Sequence, residues 1–254
     1  GEPRKGGALD ERPREPDRLG CRERRTDVLD EHAHVHREPA RGDLPARQDV
    51  YELPLGAVRP RGWLLRQLRI QADGLSGHLD EFWPDVAQSQ WFGGTAEGWE
   101  RAPYWLDGTT ALAWLLDDAN LKARIGAHID YIVSHQRADG WFAPYPRDAA
   151  THRYDLWAII LMNKVLAGYH DATGDDRALR ASLASMRAMH AGMDVTPLYD
   201  WGRFRWFEGL VPALYAYERS GEPWLLDFAA KLRRQGVDYE AIVESPDFGV
   251  PTPR

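Results

Sequence analysis

The chain has 254 residues, of which 43% are hydrophobic, and this is enough for one globular core of ordinary composition. The formal net charge of -7 argues against a nucleic-acid partner, which requires a basic face. The longest apolar stretch, around residues 156–162, is far shorter than the roughly 20 residues that cross a bilayer. The charged N-terminal residues lack the apolar segment of a signal peptide, so we expect a cytoplasmic protein.

Residues 1–48 are rich in charged residues, proline and glycine and lack an apolar period, which predicts a disordered leader. In an extended strand His32, His34 and His36 would lie on one face and could bind a divalent metal. Charged flanks and the absence of a partner strand favour an unstructured segment instead. The single cysteine, Cys21, excludes an intrachain disulfide and a multi-cysteine metal site. Residues 241–254 are interpreted as a C-terminal tail.

The first predicted helix follows Pro60 and ends before Gly74. Its predicted apolar stripe consists of Trp63, Leu64, Leu65, Leu68 and Ala72. Residues 76–98 are rich in glycine and aromatic residues, and we interpret them as a long loop. Loops of this length in a compact domain are usually functional or disordered, and the aromatic residues favour a function.

A pattern then recurs along the chain, at residues 99–107, 151–157 and 201–209. Each segment combines arginine, aromatic and acidic residues, and a helix, a Gly- or Asp-rich turn and an amphipathic helix follow it. A period of roughly 50 residues is typical of paired-helix repeats that bury their apolar faces on one another. The sequence therefore predicts an all-α domain over residues 51–240, in which helical hairpins form a toroid. Pro212 is expected to kink the first helix of the third hairpin.

The first helices of such hairpins would begin at a common mouth, where free backbone N–H groups stabilise carboxylates. Asp107, Asp155 and Glu208 would converge there with Arg101, Arg153 and Arg205. Hydrolysis of a glycosidic bond requires two such groups about 5 to 9.5 Å apart, and aromatic rings suit the C–H faces of sugars. The alternative is that these acids cap helices or pair with the nearby arginines.

Several motifs resemble one known family in the same order along the chain, at residues 54–64, 77–85, 98–108, 134–142 and 205–210, followed by Gly221 and Glu222. They are similar to the N-terminal half of the beta-L-arabinofuranosidase-type glycoside hydrolases, family 127 and its relatives. The resemblance implies an (alpha/alpha)6 barrel, followed in full-length members by beta-sandwich domains, that removes a terminal sugar from a glycan. About half of the ring is matched, which implies a truncated catalytic domain.

The resemblance also implies a cysteine nucleophile on a zinc site, with a glutamate as acid/base, all from the later half of the barrel. The only cysteine here lies in the unmatched leader, so none of these residues is carried over and no cofactor is assigned. By position in the matching motifs and helix openings, the residues expected to bind sugar are His78, Trp83, Trp99, Glu100, Arg101, Tyr104, Asp107 and Asp155. Asp80, Glu81 and Glu208 are the candidate catalytic acids, with a purely structural role in the loop as the alternative for Asp80 and Glu81.

The leading hypothesis is a glycoside hydrolase acting on a terminal beta-L-arabinofuranoside or a similar sugar. A second is a carbohydrate-binding or scaffold fragment without activity, whose exposed inner helices would form a homodimer. A third is a toroid polysaccharide lyase or epimerase that uses a tyrosine or histidine base. Release of a free sugar, binding without turnover, and an unsaturated product distinguish the three.

Overall fold

The computed structural model describes residues 53–145 and 155–245, and every regular element in these two ranges is helical, as the sequence predicts. The α-helices are α1 (Gly62–Asp73), α2 (Leu75–Phe82), α3 (Pro84–Ala87), α4 (Arg101–Leu116), α5 (Ala119–Ser134), α6 (Trp157–Thr173), α7 (Asp176–Gly192), α8 (Asp200–Phe204), α9 (Leu210–Ser220), α10 (Trp224–Gln235) and α11 (Tyr239–Val243). Two 3-10 turns lie at Gln90–Phe92 and Trp206–Gly209. The part of the chain so described contains no helix that is both long enough and apolar enough to cross a bilayer.

Three helical hairpins, α4–α5, α6–α7 and α9–α10, form two layers. In the first layer α4, α6 and α9 lie side by side, and α1 packs against α4. In the second layer α5, α7 and α10 lie side by side, each against the first helix of its own hairpin. This arrangement brings the starts of α4, α6 and α9, which are far apart in sequence, into one region.

The core is centred on α6, whose residues 157–163 are all buried. An apolar side chain on every face requires cover on every side, and α4, α7 and α9 provide it. In contrast, α7 buries one face, including Met186 and Met189, and leaves its arginines towards solvent. Burial of each large aliphatic side chain contributes about 1.5 to 3 kcal/mol, so α6 is the main source of hydrophobic stabilisation.

The three first-layer helices end in the same way, with a left-handed residue at the C-cap. This residue is Asp117 (φ 57°) after α4, Gly174 (φ 70°) after α6 and Gly221 (φ 68°) after α9. The left-handed residue reverses the chain, and Asp118 and Asp175 then cap the N-termini of α5 and α7 by accepting backbone N–H bonds. The Gly- and Asp-rich turns in the sequence are therefore the hairpin turns.

The long loop predicted over residues 76–98 was wrong, because α2, α3 and a 3-10 turn occupy most of it. Its glycines partly serve close packing instead. A Cβ at Gly77 would lie 1.8 Å from the carbonyl oxygen of Ala72, so glycine is what allows α2 to pack directly against the end of α1. Asp80 and Glu81 consequently lie in a helix and not in a loop.

Two further details bear on the predicted helices. Pro212 is in the first turn of α9, where its missing N–H has no intrahelical acceptor to lose, and the chain changes just before it from the 3-10 turn Trp206–Gly209 to α9. In α1 the buried stripe is narrower than expected: Leu65 and Leu68 pack on the core and Ala72 is buried, whereas Trp63 and Leu64 are exposed. The predictions for Cys21, His32, His34, His36 and Arg153 fall outside the described residues.

Candidate functional site

A cluster of aromatic and charged side chains lies where α4 and α6 begin. Arg205 Nη1 donates a 2.8 Å hydrogen bond to the hydroxyl of Tyr104. The same guanidinium lies 4.8 Å from the ring centroid of Trp157 and 5.3 Å from that of Trp201. The indole N–H of Trp157 donates to Glu100 Oε2 at 2.5 Å. We call Glu100, Tyr104, Trp157, Trp201 and Arg205 the Tyr104 cluster.

Two rings of the Tyr104 cluster remain accessible to a ligand. Tyr104 is 43% exposed and Trp201 is 48% exposed, whereas Trp157 is buried beneath them. Burial raises the pKa of the Tyr104 hydroxyl, and Glu100 and Glu208 raise it further, against the opposing effect of Arg205 and Lys164. The phenol therefore keeps its proton at neutral pH and is able to donate a hydrogen bond.

A second charged group lies next to the Tyr104 cluster. Lys164 Nζ is 3.3 Å from Asp107 Oδ2 and 3.3 Å from Glu208 Oε2, so the two carboxylates lie within twice that distance of each other. Burial is the largest single effect on the pKa of Lys164 and lowers it, but the two acids together outweigh burial and the pKa is raised. We call Asp107, Lys164 and Glu208 the Lys164 triad.

Helical spacing explains why these residues meet. Tyr104 and Asp107 are three residues apart on α4, and Trp157 and Lys164 are two turns apart on α6, so each pair lies on one face of its helix. Glu208 is in the 3-10 turn that leads into α9. Of the three acids expected at the mouth, Asp107 and Glu208 are thus brought together.

Asp155, the third acid, lies just before α6, and its carboxylate accepts hydrogen bonds from three backbone N–H groups. Its Oδ1 accepts from the N–H groups of Trp157 at 2.9 Å and Gly202 at 2.7 Å, and its Oδ2 accepts from Trp201 at 2.9 Å. Burial raises the pKa of Asp155, the three N–H donors lower it, and Asp200 raises it, with a net increase. Asp155 therefore joins α8 to α6 and positions Trp201.

A cleft of about 420 Å³ between α1, α2 and α4 adjoins the Tyr104 cluster. Four of the predicted sugar-binding residues line it: Trp83, Glu100, Arg101 and Tyr104. The Arg101 guanidinium lies 5.8 Å from the Trp83 ring centroid and forms ion pairs with Asp85 and Glu97, each at 3.3 Å. The structure thus groups these four residues around a cavity of the size that suits a small ligand.

Asp80 and Glu81, the acids of α2, pair with a residue of the second layer. Arg124 Nη1, on α5 of the second layer, lies 2.8 Å from both Asp80 Oδ1 and Glu81 Oε1. His78 Nδ1 lies 2.8 Å from Glu81 Oε1, and the Asp80 side chain is only 6% exposed. These contacts fit the structural alternative for Asp80 and Glu81, because they join α2 to α5.

Trp99, also expected to bind sugar, does not line this cleft and packs against other aromatic residues. Its ring lies 5.4 Å from that of Tyr145, and its carbonyl oxygen accepts a 2.7 Å bond from the indole N–H of Trp91.

Lys164 is the residue of the site that the sequence did not predict. The available signal was a single lysine inside the most apolar helix, since burying a lysine is costly unless acids accompany it.

The side chains of the described residues do not fit the zinc site that the family resemblance implies. Among the described residues no group of three His, Cys, Asp or Glu side chains has a geometry that could hold a metal ion. The donors at the mouth are two carboxylates already paired with Lys164, which do not fit a zinc site.

Comparison of the sequence with known protein families gave no matching family, and comparison with curated proteins gave no significant match.

Proposed function

We propose that this protein binds carbohydrate at the Tyr104 cluster and hydrolyses a glycosidic bond at the adjoining Lys164 triad, releasing a terminal sugar such as beta-L-arabinofuranose. The observation that supports this most is the Lys164 triad, two carboxylates at short range beside accessible aromatic rings. Because Asp107 Oδ2 and Glu208 Oε2 are each 3.3 Å from Lys164 Nζ, their largest possible separation falls within the range of about 5 to 9.5 Å found between the two carboxyl groups of glycoside hydrolases. The two-layered hairpins further fit a segment of a helical toroid, with the mouth at the starts of α4, α6 and α9.

The exposed rings of Tyr104 and Trp201 account for sugar binding. A flat ring offers an apolar surface to the C–H face of a pyranose or furanose, while the surrounding polar groups bond its hydroxyls. The Tyr104 hydroxyl can donate because its pKa is raised, and the Glu100 carboxylate can accept. Sugar binding therefore needs no rearrangement of the cluster.

The chemical step is assigned to Asp107 and Glu208. Lys164 pairs with both in the free protein, and a sugar that displaces the ammonium would leave two like charges at short range. Such a pair takes up one proton, because the second ionisation is disfavoured. One carboxyl group would then protonate the leaving oxygen, while the other acts as nucleophile or base.

The lyase or epimerase alternative is less well supported. A tyrosine base must lose its proton near neutral pH, but burial and the neighbouring acids raise the pKa of Tyr104. A carbohydrate-binding protein without activity remains the second candidate, since the rings and the cleft serve binding whether or not the acids react. If the chain is that second candidate, the expected homodimer would form through exposed Val211 and Leu214 on α9.

The test is release of free sugar from a panel of aryl glycosides, including the beta-L-arabinofuranoside, by four proteins. These are the unmodified chain, Glu208→Gln, Asp107→Asn and a control, Glu244→Gln, whose exposed carboxylate is at the end of α11. We expect turnover by the unmodified chain and the control, and a loss of about 10²-fold or more in the two site variants. Binding without turnover would favour the binding protein, an ultraviolet-absorbing unsaturated product the lyase, and neither binding nor turnover would refute the proposal.

A further inference from the structure

A groove of about 510 Å³ extends from the Lys164 triad along the first layer, between α4, α6 and α9. It begins at Asp107 and Lys164 and reaches Asp171 and Tyr215 further along the helices. A smaller cavity of about 110 Å³ shares Asp107 and Gly168 with this groove, so the two spaces adjoin. The accessible space therefore continues well beyond the residues assigned to the terminal sugar.

Gly168 leaves the groove open. It lies inside α6, where glycine is one of the least favourable residues for a helix. No heavy atom of the described residues lies within 4 Å of the position that a Cβ would take there, apart from its own neighbourhood in the helix. Packing of the described chain thus does not require glycine at this position, whereas close approach of a ligand would.

An unpaired hydroxyl provides an independent observation at the same place. Thr110 on α4 lines the smaller cavity and is 3% exposed. Within the described residues its Oγ1 has no hydrogen-bond partner. Buried polar groups are nearly always paired, and an unpaired one is unfavourable. This hydroxyl can both donate to and accept from a group that enters from the groove.

We propose that the groove is a second sugar subsite, so that the preferred substrate is an oligosaccharide of at least two units. This inference rests on the proposed function, with the terminal sugar at the Tyr104 cluster. The next unit lies over Gly168 and bonds Thr110 Oγ1. Four acids along and beside the groove, Asp107, Asp171, Glu208 and Glu218, outnumber their two cationic partners, Lys164 and Arg219, which disfavours a negatively charged sugar. The substrate class is therefore a neutral oligosaccharide and not a uronic acid polymer.

The experiment compares binding of L-arabinose and its furanosyl di- and trisaccharides by calorimetry, with a galacturonic acid trisaccharide as the acidic probe and with Glu208→Gln in every protein so that the sugars are not hydrolysed. The variants are Thr110→Val, Gly168→Leu and the control Gly126→Ala, which raises helix propensity on α5 away from the groove. We expect the protein with Glu208→Gln alone to bind the trisaccharide at least about 10-fold more tightly than the monosaccharide, and the acidic probe weakly. Each groove variant should lower the affinity for the trisaccharide about 5-fold or more and reduce that preference, whereas the control should leave it unchanged.

A separate measurement on Thr110→Val needs no sugar. Because the Thr110 hydroxyl is unpaired in the free protein, its removal should leave the melting temperature unchanged or raise it. A clear fall in melting temperature would place the hydroxyl in a structural bond and overturn the subsite. Equal affinity for mono- and trisaccharide, or equal weakening of both by Gly168→Leu, would overturn the subsite while leaving the proposed function in place. No binding of any sugar would overturn both.

Discussion

Replacement of Asp155 separates a structural role of this carboxylate from the sugar-binding role suggested by the sequence. In Asp155→Ala the N–H groups of Trp157, Trp201 and Gly202 all lose their acceptor. Asp155→Asn retains one carbonyl oxygen and removes the charge. The two variants therefore differ mainly in how many backbone bonds survive.

The expected loss in the free energy of unfolding follows from the burial of each donor. Loss of the bond at the start of α6 costs about 1 kcal/mol, as for an ordinary N-cap. The bond to the part-buried N–H of Gly202 adds about 1 to 2 kcal/mol, while the exposed N–H of Trp201 can bond water instead and adds little. The total for Asp155→Ala is about 2 to 3 kcal/mol. Asp155→Asn should cost only about 1 kcal/mol, because burial already raises the pKa of Asp155 and disfavours its charge.

Urea unfolding followed by circular dichroism measures these differences, and Asp118→Ala is the control. Asp118 caps α5 by accepting from two N–H groups of its own helix, so its loss should cost about 1 kcal/mol. Sugar affinity is measured in parallel. The reasoning is refuted if Asp155→Ala is no less stable than the control, or if it abolishes sugar binding while stability is unchanged.

Three further predictions concern other parts of the molecule. Asn163→Ala should lower the free energy of unfolding by about 2 to 4 kcal/mol in urea, because it opens a cavity in α6 and leaves two buried serine hydroxyls of α7 unpaired; a loss below about 1 kcal/mol would contradict this. Arg124→Met should lower the free energy of unfolding by about 2 to 3 kcal/mol without changing sugar affinity, because it takes the guanidinium away from the buried Asp80 carboxylate and leaves the longer 3.6 Å contact to His128 Nε2; a change in affinity with unchanged stability would contradict its structural role. Burial raises the pKa of the Tyr104 hydroxyl, so the contribution of this hydroxyl to stability is complete below pH 10 and is lost as pH rises through the folded-state pKa. An alkaline absorbance titration should therefore show one fewer late-ionising tyrosine in Tyr104→Phe than in the unmodified chain. An unchanged titration curve would refute the raised pKa of Tyr104.

The hairpins were predictable because their signals are local. Apolar residues such as Leu121, Ile125 and Ile129 recur at helical spacing, and all three are buried in α5. The reversal after each first-layer helix is marked by glycine or aspartate. Residues 76–98 were misread because glycine has two uses: Gly93 does adopt a left-handed turn (φ 83°), whereas Gly77 allows close packing of helices. One sequence without structure does not distinguish these uses.

The candidate site was predictable only in part. The periodic openings predicted that Asp107 and Glu208 would meet, and both contact Lys164, although Asp107 lies in the second turn of α4 and not at its start. Lys164 was missed because the pairing depends on how α4, α6 and α9 lie side by side, which no local pattern states. Asp80 and Glu81 drew attention as acids between glycines, but their partner Arg124 is more than 40 residues away. Charge pairing across layers is a tertiary property.

The short hairpin turns have a consequence for synthesis on the ribosome. Only residues 117–118 and 174–175 separate the helices of the first two hairpins, so closing each turn costs little entropy and the contacts within a hairpin form early. The α4–α5 hairpin can therefore assemble while later residues are still being translated. The flank of α6 that α9 covers, however, stays uncovered until α9 emerges about 40 residues later. During that interval the nascent chain exposes its most apolar helix, which makes α6 the segment where a chaperone would be expected to act.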